Sequence, residues 1–252
     1  MNWIDPFPGE FEMRVAEVYY DSPSFVSVAE ATPAERAIFF RKTYGHVAAS
    51  LAVLAVLEAI LLNSPAIALV PIMAGSNITW LISIGLFMWA SHVAEKWSLS
   101  AASSQKQYQG LGLYLIAEAV ILMPLLFVAV SMTRGPEIIL QAGVLTLTLA
   151  AALTLTAFTT KTDFSFLGAI LKVGFIVAVG VMLLSMVFGF TLGLVFCGAM
   201  ILLAAGSILY STQQMVHAYR PTQHVAAALG IVANIALLFW YILSFIMRMS
   251  RR

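Results

Sequence analysis

From His46 onward the apolar residues run in blocks of about twenty, separated by short polar or Gly/Pro-containing breaks. Seven blocks are long enough to cross a bilayer as helices: His46 to Leu62, Ile78 to Ala94, Gly110 to Met132, Ile138 to Thr159, Phe166 to Phe188, Phe190 to Ser211 and Val225 to Met247. None alternates apolar and polar positions, which excludes a transmembrane barrel. The pattern predicts an all-α integral membrane protein, a bundle of seven transmembrane helices in contact with the lipid bilayer.

Composition agrees and adds a division of the chain. Hydrophobic residues make up 61% of the 252 positions and charged residues 10%, with a mean hydropathy of +0.94. A soluble core of this size would need a polar surface that the residues after His46 do not supply. Residues 1–37 differ: Asp5, Glu10, Glu12, Glu17, Asp21, Glu30 and Glu35 face only Arg14 and Arg36. The expected organisation is an acidic N-terminal tail over 1–37 and a transmembrane domain over 38–252. The tail reads as flexible, with docking through Trp3, Phe7, Phe11, Tyr19 and Tyr20 as the alternative. It lacks the basic start, apolar stretch and small-residue site of a cleaved signal.

With seven spans, Arg14, Arg36, Arg41, Lys42, Lys96, Lys106, Lys161 and Arg220 fall on the N-terminal side, and Arg134, Arg248, Arg251 and Arg252 on the other. That bias predicts a cytoplasmic N-terminus. Cys197 is the single cysteine, so no intrachain disulfide can form.

Candidate chemistry is sparse. Only Glu58 and Glu118 carry carboxylates within the apolar blocks, and no Asp or Glu follows Asp163. An ionisable group at mid-membrane costs about 2.5 to 3.5 kcal/mol on insertion scales, so its presence there is a functional signal. Glu118 lies one turn after Tyr114 and ahead of Pro124; it is expected to be protonated, hydrogen-bonded or turned to a cavity. Glu58 lies near the end of its block, within reach of the interface. His46, His92, His217 and His224 are expected as scattered interfacial residues, and the pair His92 and Glu95 is too small for a metal site. No metal or cofactor is expected. Gly189 and Gly193 form a GxxxG read as a helix-packing face, and the hydroxyls from Thr146 to Thr160 either bond back to their own helix or line a wet path. There is no P-loop, no HExxH and no glycine-flanked serine, so catalysis is not expected; nor is nucleic-acid binding.

The last two spans bring a resemblance. Gly206-Ser207-Ile208-Leu209-Tyr210-Ser211-Thr212-Gln213, then Ala227 to Ile235, look like the closing signature of the Bax inhibitor-1 (transmembrane Bax inhibitor motif) family. Arg41-Lys42-Thr43-Tyr44, Pro124, and Thr159 to Leu167 match in order upstream, so the similarity runs from Phe39 to Met247.

The resemblance implies a seven-helix fold and, for some members, a pH-sensitive calcium leak; other members are cell-death suppressors or partners of a membrane-bound protease. In the channels an aspartate on the sixth helix pairs with one on the seventh, and such a pair shares a proton. Here the matching positions hold Ser211 and Asn234, which do not titrate, with Ser207 and Gln214 on the same face as Ser211. A neutral polar clasp between the sixth and seventh spans is therefore expected, with Gly230 allowing close approach. The arginine latch of the second span is absent; His92 and Lys96 are the nearest basic groups.

Two functions follow. The first is a cation-permeable protein, for calcium or another cation, whose titratable group has moved to Glu118, assisted by Glu58 or His92. The second is a non-conducting regulator that binds another membrane protein, such as a membrane-bound protease. The compact loops and the resemblance suggest a bacterial inner membrane.

Overall fold

The computed structural model describes residues 27–100, 103–132, 135–160 and 162–250. The aromatic residues of the tail, Trp3 to Tyr20, lie outside them. The first helix, α1, spans Pro33–Leu62 and starts well before the first apolar block, because capping rather than hydropathy fixes its beginning. Thr32 accepts from the Glu35 backbone N–H, Glu35 reaches back to Thr32, and Pro33 occupies the first turn, where a missing N–H costs nothing. The helix therefore takes in the last residues of the stretch assigned to the tail.

A 3₁₀ turn at Pro65–Ala68 and a short α2 at Leu69–Ala74 follow, in a stretch read as connection. The remaining helices are α3 Asn77–Ser98, α4 Ser104–Val130, α5 Gly135–Thr159, α6 Leu167–Phe188, α7 Leu194–Ala218 and α8 His224–Ser250. Together with α1, these six make seven helices among the described residues that are long and apolar enough to cross a membrane. Successive spans run in opposite directions, so α1 and α4 travel the same way.

The GxxxG reading is corrected. Gly189 ends α6 with a left-handed φ of 72°, and Gly193 is the extended residue before α7. Both glycines sit in a connection, where one supplies a conformation other residues avoid, and neither presents a helix face. Close approach is instead made at Gly110, where a Cβ would come within 2.5 Å of the Ala94 carbonyl and 2.7 Å of the Ser98 nitrogen. Gly230, expected to permit close approach, has only ordinary room: a Cβ there would lie 3.7 Å from the Tyr219 hydroxyl.

The last helix is the centre of the bundle. It packs against α1, α3, α4, α5 and α7, whereas α6 lies outside, against α7. Leu86, Leu140 and Val187 point outward, as apolar residues do where the surroundings are lipid rather than water. Thr146, Thr156 and Thr159 bond back to Ala142, Ala152 and Leu155, so these hydroxyls are satisfied within α5.

At the N-terminal side of the bundle, residues just before α1 are tied down. Val28 is fully buried and donates its N–H to the Tyr219 carbonyl at 3.0 Å, and Ala29 donates to Val216 at 2.8 Å. Arg36 completes the strap by donating to the carbonyls of Val28 and Ala29. On the same side, Asp163 accepts from the backbone N–H and hydroxyl of Ser165, which hold its carboxyl below the ordinary aspartate range.

Candidate functional site

Glu118 sits in the middle of α4 and is 6% exposed. Its helix brings Tyr114 one turn earlier onto the same face, and the phenol donates to Glu118 Oε2 at 2.6 Å, a short hydrogen bond. Of the alternatives open from sequence, a hydrogen-bonded acid is the one realised.

Glu58 is equally buried, at 6% exposure, and neither carboxyl oxygen has a hydrogen-bond partner among the described residues. The expectation that it reaches the interface is corrected by the register of α1 on α4. His46 meets Tyr108 at 3.0 Å, and from there both helices continue in the same direction. About three turns further on, Glu58 comes level with the turn of α4 that carries Glu118. Burying an unpartnered polar group costs about 1 to 3 kcal/mol, so this residue weakens the fold it sits in.

A cavity of about 460 Å³ opens between α3, α4 and α8. Ser91, His92 and Glu95 line it from α3, Tyr114 from α4, Asn234 from α8 and Tyr219 from the preceding connection. Tyr114 thus has its ring on the cavity and its hydroxyl on Glu118. The Ser91 hydroxyl is buried without a hydrogen-bond partner among the described residues. Burial first, and the Glu95 carboxylate second, push the Tyr219 phenol above its ordinary pKa. His92, a proton-sensing candidate, is therefore on the exposed rim of the cavity rather than beside either buried carboxylate.

Asn234 connects the cavity to α7. Its Nδ2 donates to Ser211 Oγ at 2.9 Å and lies 3.5 Å from the Ser207 carbonyl. The Ser211 and Ser207 hydroxyls donate to carbonyls of their own helix, at Ile208 and Ala204. Gln214 makes no side-chain hydrogen bond among the described residues. The residue beside it, Gln213, accepts from the Phe164 N–H at 2.6 Å and donates to the Thr162 carbonyl at 2.9 Å, tying α7 to the α5–α6 connection. One helical position separates the two glutamines, and no signal in the sequence distinguishes them. Removing the clasp by Asn234→Ala is expected to destabilise by about 0.6 kcal/mol, the usual worth of an interhelical hydrogen bond in a membrane, read by thermal unfolding in detergent.

The sequence profile of the family described as inhibitor of apoptosis-promoting Bax1 matches residues 36–252. The chain belongs to the Bax inhibitor-1 family. Among relatives of this family, a BI1-like protein of Arabidopsis thaliana is 29% identical over 214 residues, covering 81% of this chain and 78% of that protein. A Golgi anti-apoptotic protein of vaccinia virus is 26% identical over 222 residues, covering 86% and 88%. Protein lifeguard 4 of mouse is 29% identical over 143 residues, covering 56% and 60%. In this Bax inhibitor-1 family member, Ser211 and Asn234 join α7 to α8 by a neutral hydrogen bond, while among the described residues the buried carboxylates are on α1 and α4.

Proposed function

We propose that the chain lets calcium or another cation cross the membrane, with Glu118 as the charged group the ion meets and Glu58 beside it. The observation that carries this reading is Tyr114, whose ring lines the cavity and whose hydroxyl is bonded to Glu118. Glu95 stands at the rim beside His92, and its carboxylate would draw a cation inward. In this reading the protein is not an enzyme. It lies in a bacterial inner membrane with its N-terminus in the cytoplasm, following the distribution of lysine and arginine.

Purified protein in liposomes should pass calcium, with flux that changes between pH 5 and 8. Absence of flux at every pH in that range would overturn the proposal. The second reading, a non-conducting regulator of another membrane protein, draws support from the neutral Ser211–Asn234 clasp, which cannot act as a proton-controlled gate. Co-purification of a stable membrane partner, lost on deleting residues 1–26 but leaving the strap and α1 intact, would favour it.

A further inference from the structure

The cavity between α3, α4 and α8 has its mouth at the end of the bundle where the chain enters: Ser98 and Leu99 line it at the end of α3, and α8 begins there. Tyr114 and Asn234 line its inner part, each about 15 Å along its helix from that end. Tyr219 stands between the two. It belongs to the α7–α8 connection, yet its hydroxyl lies where a Cβ on Gly230 would be 3.7 Å away, about 9 Å past the first residue of α8. The phenol therefore occupies the passage from the mouth to Asn234.

Two attachments fix the backbone that carries this ring. On one side Gln223 accepts from the Arg220 N–H and donates to the Leu99 carbonyl, both at 3.0 Å, which ties the connection to the end of α3. On the other side is the strap ahead of α1. Val28 donates to the Tyr219 carbonyl itself, and Ala29 to that of Val216, one of the last four α7 carbonyls, which have no partner within their own helix. Val28 belongs to the main core, against which Val216 and Tyr219 also pack. The strap is held in turn by Arg36, which donates to the carbonyls of Val28 and Ala29, and by Glu30, which accepts from the Ser27 N–H and hydroxyl. The start of α8 is fixed separately, because His224 meets His46 of α1 with ring centroids 5.1 Å apart, against the expectation that the histidines are scattered.

We propose that Tyr219 is the gate of the cavity and that residues 27–29 are the latch that holds it shut. The proposal rests on the reading of this cavity as the ion path and adds its regulation. With the strap in place, the Tyr219 carbonyl is pinned and the phenol stays beside Gly230; when Val28 leaves its pocket, the connection loses that anchor and the ring is free to withdraw. Local opening of this kind involves a few hydrogen bonds and one buried valine, while α1 keeps its own cap at Thr32 and Glu35. Residues 1–26 lead directly into the latch, so any pull on them acts first on Val28.

Thiol labelling of the full-length protein in lipid nanodiscs tests this, with Ala233→Cys placing a thiol in the cavity beyond Tyr219 and a water-soluble cationic methanethiosulfonate as the probe. Labelling at 233, read by peptide mass, should be slow in the intact protein. It should accelerate about tenfold or more when Arg36→Ala removes two hydrogen bonds from the latch, and likewise in Tyr219→Ala. The native Cys197, buried on α7, is the internal control and should stay unreactive in every variant. An unchanged rate at 233 in Arg36→Ala, or acceleration only together with Cys197, would overturn the latch. Should Arg36→Ala fail to fold, deletion of residues 1–29 replaces it under the same readings, since the cap of α1 is left intact. Selective acceleration in a protein that passes no calcium in liposomes would support the gate and remove the ion-path reading.

Discussion

Glu58→Leu is expected to raise the thermal stability of the protein and lower its cation flux at the same time. Both carboxyl oxygens of Glu58 are buried without a hydrogen-bond partner among the described residues, and removing such a group recovers about 1 to 3 kcal/mol of desolvation. For a chain of this size each kcal/mol moves the unfolding midpoint by about 2 to 4 °C. Leucine fills similar space on the face of α1 that packs on α4. Glu58→Gln keeps a buried polar head and should leave stability near wild type. A residue kept at such a cost is a signature of function, since stability and activity often trade against each other. A fall in stability in Glu58→Leu, measured by scanning fluorimetry in detergent, would mean that the carboxyl is held by a tightly bound water or ion.

Glu118→Gln should leave the fold intact and remove most of the flux. The amide oxygen of glutamine can still accept from the Tyr114 hydroxyl, so the one hydrogen bond at this position survives while the charge is lost. Each 1.4 kcal/mol of lost attraction for the ion is a factor of about ten, and a carboxylate in a low-dielectric site supplies at least that. The pH dependence of the remaining flux should flatten. Tyr114→Phe has the opposite design: the charge stays and its donor goes, so the pH profile should shift along its axis while flux persists.

The spans were legible because apolar length is a one-dimensional signal, and all seven blocks became helices. Their beginnings were not, because Thr32 and Glu35 start α1, and the glycines around Phe190 delay α7 to Leu194, by local hydrogen bonding and backbone conformation. The same limit misassigned Gly189 and Gly193: a GxxxG has meaning only on a helix, and hydropathy does not report where φ turns positive. Among the polar residues, Tyr114 and Glu118 could be paired from helical spacing alone. The burial of Glu58 and the meeting of His46 with His224 depend on how α1 is set against α4 and α8, which no pattern within one helix encodes. Ser211 and Asn234 were found only by matching residues to the family; their hydrogen bond is a property of the α7–α8 contact.

The most direct measurement compares calcium flux through liposomes holding equal amounts of wild type, Glu118→Gln and Asn234→Ala across pH 5 to 8. If the buried carboxylates form the path, Glu118→Gln loses most of the flux and its pH dependence, while Asn234→Ala stays near wild type. Wild-type flux in Glu118→Gln, or its loss in Asn234→Ala alone, would contradict the account.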